Sequence, residues 1–258
     1  MKFQVVVPSR GRSGLMPGLL TMVPYANVLV HESEYDDYQE VVPDGQLHTH
    51  NEGLVADIRN HILRNFGGEC VIMMDDDFIG VRPLISKLGL IKDPDYIHQL
   101  LYNSMMVCGD LGCSVFAYAP VINPIIMRPE VDPIKLNNTA FRTFGVMGEG
   151  LKRRFPSQGR ADIDFSMQTL RDDRIIYVDC RFYFDHGNAG TGKGGSVGSV
   201  GAERRAKAVQ DLKSRWGNNL GLGGRNAATK SVNQSMSIKV SRRNKLVNVR
   251  EYFPEEFS

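Results

Sequence analysis

The sequence predicts an α/β protein: a Rossmann-like, mainly parallel sheet flanked by helices, followed by a basic C-terminal extension. Three observations predict it. Short runs rich in β-branched residues recur at Lys2–Val7, Asn27–His31 and Cys70–Met74, with continuously apolar centres, as in strands covered on both faces. Gly53–Phe66, between two of them, carries apolar residues at helical spacing, and strands that alternate with helices build parallel sheets. The bulk composition, 42% hydrophobic and 23% charged over 258 residues, is that of a globular chain long enough to bury a core without disulfides.

The elements follow in order. Lys2–Val7 is a buried strand ended by the polar loop Pro8-Ser9-Arg10-Gly11-Arg12. Asn27–His31 is a second strand, trailed by the acidic stretch Glu32–Asp37. In Gly53–Phe66 the residues Leu54, Val55, Ile58, Ile62 and Leu63 share a helical face, and Gly67-Gly68 stops the helix. Cys70-Val71-Ile72-Met73-Met74 is a strand that delivers Asp75-Asp76-Asp77. Further on, Pro94–Cys108 reads as a helix, Ser114–Ala119 as a strand, Ala161–Leu170 as a helix and Ile175–Phe184 as one long strand. Gly187–Gly201 is a Gly-rich loop and Glu203–Trp216 a basic helix, after which residues 217–250 are rich in Gly, Asn and Ser. Composition therefore divides the chain into a catalytic-sized body, 1–200, and an extension, 201–258.

Charge marks the same division. Residues 1–202 hold 19 Lys and Arg against 24 Asp and Glu, a net of −5, whereas residues 203–258 hold 12 against 5, a net of +7. A basic segment on an acidic body predicts an anionic partner for that segment. Cys70, Cys108, Cys113 and Cys180 form no CxxC pair, so they read as reduced core thiols rather than a zinc site. No apolar run approaches a membrane span and no signal-like start is present, so a soluble, cytoplasmic protein is expected.

The chemistry concentrates at the aspartate triplet. Ligands of open α/β sheets bind at the carboxyl ends of strands, which is where Asp75–Asp77 stand. Alternate residues of an extended segment share a face, so Asp75 and Asp77 are expected to converge. Their mutual repulsion is relieved by a hard divalent cation, which can in turn hold a diphosphate.

With these residues in view, the chain resembles the nucleotide-sugar half of GT-A glycosyltransferases. The resemblance is carried by Val5-Val6-Val7-Pro8-Ser9-Arg10-Gly11-Arg12, the helix around Arg59-Asn60, and the strand that ends in Asp75-Asp76-Asp77, an Asp-x-Asp motif. Ala161-Asp162-Ile163-Asp164 is similar to the second acidic motif, with Ala161 where a glutamate is usual, and Asp185-His186 ends a later strand. The resemblance implies Mn²⁺ or Mg²⁺ and a nucleotide-sugar donor, most simply a UDP-sugar. It implies metal ligation by Asp77 and His186, with Asp75 sharing the metal or touching the ribose. Asp162 would be the base that deprotonates the acceptor hydroxyl and Asp164 the second candidate, one of them acting only as a helix cap; a retaining reaction would need neither. Pro8, Ser9, Arg10, Arg12, Glu32, Arg59 and Asp76 are expected around the donor.

Gly187-Asn188-Ala189-Gly190-Thr191-Gly192-Lys193-Gly194 almost spells a phosphate loop, but Gly194 replaces the Ser or Thr that would hold magnesium and no helix follows. A glycine flap that brings Lys193 over the donor is the expectation. In the extension, Arg204, Arg205, Arg242, Arg243 and Lys245 stand among amides and hydroxyls suited to a phosphate backbone. Size and motif order resemble bacteriophage GT-A enzymes that glycosylate 5-hydroxymethylpyrimidines, which implies a DNA acceptor, 5-hydroxymethylcytosine above all. Other readings stay open: a polysaccharide, protein or small-molecule acceptor, a nucleotidyltransferase on the same carboxylate site, or a nucleic-acid-binding protein without catalysis.

Overall fold

Three consecutive valines set the architecture. Val5, Val6 and Val7 are fully buried in strand β1 (Gln4–Pro8), yet Val5 and Val7 join one apolar cluster and Val6 another. A strand whose alternate side chains enter two different cores must have helices on both faces. The computed structural model describes residues 1–84, 89–120, 132–156, 160–187, 202–223 and 235–238.

The parallel half of the sheet comprises β1, β2 (Asn27–His31), β3 (Leu47–His50) and β4 (Cys70–Met73), interleaved with α1 (Met16–Met22), α2 (Tyr35–Gln39) and α3 (Val55–Asn65). β1 pairs in parallel with both β2 and β4, and β2 with β3. The second half follows: β5 (Phe78–Pro83), α4 (Pro94–Asp110), β6 (Val115–Tyr118), β7 (Ile134–Lys135), β8 (Phe144–Met147), α5 (Ala161–Asp172), β9 (Tyr177–Asp179) and β10 (Phe182–His186). The chain continues in α6 (Ala202–Trp216), β11 (Leu220–Gly223) and β12 (Ser235–Ile238). The main sheet has the order β3-β2-β1-β4-β8-β6-β9-β7, with β8 antiparallel to both its neighbours. β8 can sit there because Gly145 has no side chain: a Cβ on it would lie 2.1 Å from the Phe116 ring.

On one face α1 and α4 cover Val5, Val7 and Ile72 with Leu19, Ile97, Leu101 and Met105. On the other, α3 and α5 cover Val6, Val71 and Met73 with Ile62, Leu63 and Phe165. α6 packs on α5 through Leu212, which joins Ile163, Met167 and Leu220 in a small cluster edged by Trp216. The four cysteines are free and buried. Among the described residues no helix is long and apolar enough to cross a membrane.

One expected element divides. Ile175–Phe184 is not a single strand: β9 belongs to the main sheet, whereas β10 leaves it to pair with β5 as a separate antiparallel ribbon. The break falls at Cys180-Arg181, where the backbone N–H of Arg181 and its guanidinium both donate to buried Asp179. A continuous apolar run conceals such a switch, because both strands are buried.

Candidate metal and donor site

The order β3-β2-β1-β4 means that the chain leaves β1 toward one side of the sheet and returns on the other. The crevice at the carboxyl ends of β1 and β4 is therefore a topological switch point, where open α/β sheets bind ligands. The loop Ser9–Arg12 and the triplet Asp75–Asp77 face each other across it.

They are tied together through the middle aspartate. Ser9 Oγ donates to Asp76 Oδ2 at 2.8 Å and Arg12 Nη1 donates to Asp76 Oδ1 at 2.7 Å. With its proton committed to Asp76, Ser9 accepts from the Tyr38 hydroxyl at 2.7 Å, and Tyr38 accepts from the Arg12 amide at 2.9 Å. Ser9, Tyr38 and Asp76 are all buried. Asp76 and Ser9, expected at the donor, shape this loop through these bonds, and Tyr38, on α2, is a member of the network that the sequence did not single out.

The flanking aspartates do converge, though by a turn at Asp76-Asp77 rather than by an extended segment. Asp75, Asp77 and His186 each offer a ligand atom, and the three atoms lie within 4.8 Å of one another. His186 arrives from 109 residues downstream because β10 pairs with β5, His186 opposite Phe78, after an irregularity between Asp185 and His186. Such a bulge re-aims a side chain at a strand end. His186 Nδ1 then lies 3.1 Å from Asp77 Oδ1, while Nε2 lies 3.2 Å from the buried Thr143 hydroxyl. The Gly187 amide donates to the Asp77 carbonyl at 2.8 Å and closes the corner.

Electrostatics differ for the two acids. Burial lifts the Asp75 carboxyl above its ordinary range, Asp77 and Asp76 push the same way, and His186 and Arg59 oppose it. Burial would lift Asp77 too, but its hydrogen bond to His186 and the charges of His186, Arg12 and Arg142 outweigh that and hold it below its usual value. Two carboxylate oxygens and one imidazole nitrogen suit Mn²⁺ or Mg²⁺, with Thr143 placed to fix the imidazole orientation.

The other expected residues are placed as follows. Pro8 ends β1 and Arg10 is exposed beside Glu34, with its Nε 3.7 Å from that carboxylate. Glu34 also accepts from the Gly11 amide at 2.7 Å, so it is Glu34 that meets the loop, while Glu32 stands exposed at the end of β2. The Arg59 guanidinium lies over the Phe144 and Phe155 rings, 5.6 and 5.4 Å from their centroids. Asp162 is partly exposed in the first turn of α5. Asp164 is buried, and the structure gives it a different job: it accepts from Gln168, from the Trp216 indole at 3.1 Å and from Arg215 at 2.6 Å. That engagement anchors α6 and leaves Asp162 as the acid with an open face in this motif. Arg204 and Arg205 lie at the start of α6. Lys193, Arg242, Arg243 and Lys245 lie outside the described residues.

No protein-family profile and no curated protein sequence matches the chain. Solved structures do. Glucosyl-3-phosphoglycerate synthase from Mycobacterium tuberculosis, solved with Mn²⁺, uridine-diphosphate-glucose and phosphoglyceric acid, superposes with a TM-score of 0.52 at 14% identity, over 93% of this chain and 87% of that one. A structure described as a mycobacterial protein gives 0.53 at 13% identity, over 93% and 84%. The fold is of the GT-A type. A mannosyltransferase from Pyrobaculum calidifontis, solved with GDP-mannose and Mn²⁺, gives 0.45 at 17% identity, over 69% of this chain and 54% of that one. In the GT-A frame of this chain, the acidic cluster occupies the switch-point crevice.

Proposed function

We propose that the protein is a divalent-metal-dependent glycosyltransferase that moves a sugar from a nucleotide-sugar donor, a UDP-sugar first among them, to an acceptor hydroxyl. One observation carries this reading: Asp75, Asp77 and His186, from segments far apart in sequence, meet at the switch point of a GT-A sheet. The neighbour solved with Mn²⁺ and uridine-diphosphate-glucose supports the choice of donor. Asp75, Asp77 and His186 would hold the metal, which when bound neutralises charge on the diphosphate. Arg10 and Arg12 would stand beside the nucleotide, and the network around Asp76 fixes the loop that carries them.

In this reading the acceptor oxygen attacks the anomeric carbon while Asp162 takes its proton. The bond from that carbon to the donor phosphate breaks, and the nucleoside diphosphate leaves with the electron pair. Asp162 suits the base because it is partly exposed, and among the described residues no side chain bonds its carboxylate. A DNA acceptor rests on the +7 of residues 203–258 and on the resemblance in size and motif order, and none of the solved neighbours reported above supports it; an affinity for hydroxymethylated DNA that falls with salt would support it, and salt-independent or absent binding would remove it.

The test is release of nucleoside diphosphate from a panel of nucleotide sugars with Mn²⁺. Wild type should turn over at least one donor, and EDTA or Asp77→Ala should abolish the release with the circular dichroism spectrum unchanged. Turnover that survives in EDTA would overturn the reading.

A further inference from the structure

Two fully buried hydroxyls link the metal cluster to the helix that carries Asp162. Ser166, on α5, is 0% exposed, and Thr143, just before β8, is 1% exposed. Hydroxyls so enclosed must find their partners within the protein. The Ser166 hydroxyl donates to the Asp162 carbonyl at 2.7 Å and accepts from the Ala140 amide at 2.9 Å. Three residues on from Ala140, the Thr143 hydroxyl lies 3.2 Å from His186 Nε2, and His186 Nδ1 lies 3.1 Å from Asp77. Hydrogen bonds and one short stretch of chain therefore run from the turn of Asp162 to the metal-binding acids.

The stretch between the two hydroxyls is held in one shape. Ala140 and Thr143, at its ends, are both buried, and Thr143 leads directly into β8. Arg142 has φ of +59°, in the left-handed region that a residue with a side chain keeps only where its surroundings hold it. One such hold is visible: Arg142 Nη1 donates to the Tyr183 hydroxyl at 3.0 Å, and Tyr183 belongs to β10, the strand that ends in His186. The segment is thus pinned to α5 at one end and to β10 at the other. At the β10 end, a Thr143 hydroxyl that accepts from Nε2–H keeps the neutral ring with its Nδ1 lone pair on the Asp77 side.

We propose that Ala140–Thr143 is a strut that sets where the base stands relative to the metal. Ser166 is a positioning residue that acts through Asp162, and Thr143 is one that acts through His186. The inference rests on the glycosyltransferase reading above and adds to it the parts that hold base and metal in register. Neither hydroxyl touches a reacting atom. Their effect is geometric: attack on the anomeric carbon needs the acceptor proton and the leaving diphosphate served at once, and small misplacements of either group are costly. A plainer role would leave Ser166 only satisfying the Ala140 amide, since a buried N–H needs a partner wherever it lies. The two roles differ in what a substitution does once Asp162 is already disabled.

The experiment uses the full chain and two readouts: Mn²⁺ affinity in the presence of UDP, by calorimetry, and release of nucleoside diphosphate at saturating Mn²⁺ from the donor that wild type turns over best. Thr143→Val should weaken Mn²⁺ about 10–100-fold, the loss usual when the partner of a metal-binding histidine is removed, and Thr143→Ser should restore it. Ser166→Ala should leave Mn²⁺ affinity as in wild type and lower kcat about 10–100-fold with little change in donor KM. Ser166→Cys, close in size and a weak donor, should fall between, and it serves if the alanine variant does not fold. In an Asp162→Asn background, Ser166→Ala should cost no further rate, because the group it positions is gone. An equal loss in both backgrounds, an unchanged kcat in Ser166→Ala, or an unchanged Mn²⁺ affinity in Thr143→Val overturns the proposal and leaves the glycosyltransferase reading standing. A wild-type protein that neither binds Mn²⁺ nor releases nucleoside diphosphate with it sinks that reading and the strut with it.

Discussion

Asp162 and Asp164 are two residues apart in one helical turn, yet their surroundings differ completely. Asp164 is buried under Arg215 and Trp216, and Asp162 is partly open. In the proposed mechanism Asp162→Asn keeps the shape and removes the base, so turnover should fall about 10²–10⁴-fold with the unfolding midpoint unchanged. Asp164→Asn should do the reverse. It loses the ion pair and should cost about 1–3 kcal/mol, read by denaturant titration and by faster amide exchange along α6. A large rate loss in Asp164→Asn with full stability would reverse the two roles. The sequence presented both acids as candidates because spacing alone does not say which is covered. The covering group comes from residue 215, outside any local window.

A histidine supplies the pH dependence. Burial, helped by the charges of His31, His61 and Arg10, lowers His50 to about 4 from its usual 6.5. The folded protein therefore refuses a proton that the unfolded chain accepts between those values. Stability is complete above pH 6.5 and is lost progressively as pH falls toward 4, by up to roughly 3 kcal/mol. His50→Gln, whose amide oxygen can still accept from Glu52 N–H as His50 Nδ1 does at 3.0 Å, should remove most of that loss. Chemical denaturation of both proteins at pH 7 and pH 4.5 checks it, and parallel losses in the two would refute the assignment.

At the scale of elements, the strands and helices that could be read were those with an uninterrupted pattern. Val5–Val7 and Cys70–Met73 are buried on both faces, and α3 shows its helical stripe, so their periods survive in the sequence. The departure of β10 from the main sheet left no such trace, and with it went the reason His186 meets Asp77. Gly145 was equally silent, since a glycine in an apolar strand reads as a weakness. Its Cβ would meet the Phe116 ring at 2.1 Å, so Gly145→Ala should destabilise by about 1–3 kcal/mol through overpacking. The denaturation midpoint should drop with the slope unchanged. Wild-type stability in the Gly145→Ala protein would mean that β8 can shift away from β6.

For the molecule as a whole, the proposed metal and donor site joins segments 109 residues apart, from Asp77 to His186, so its ligands should stabilise the entire fold. Mn²⁺ with UDP at about 100 times the dissociation constant adds about 2.7 kcal/mol, or about 5–10 °C in Tm for a domain of this size. Thermal scans should show the rise for the pair, its loss in EDTA, and its absence in Asp77→Ala. A rise that persists in EDTA would place nucleotide binding apart from the acidic cluster.

The packing of α6 on α5 has a practical meaning for anyone who shortens or fuses this chain. Composition invites a cut near residue 200, where the charge changes sign, yet Arg215 and Trp216 hold Asp164, and Leu212 closes over Ile163 and Met167. A chain ended at 201 would bare an oily surface and leave Asp164 without Arg215 and Trp216. Ended after residue 223, it would keep the lid on that helix. The stretch up to Gly223 is thus the fastener of the helix that carries Asp162, and a tag or fusion partner belongs beyond it.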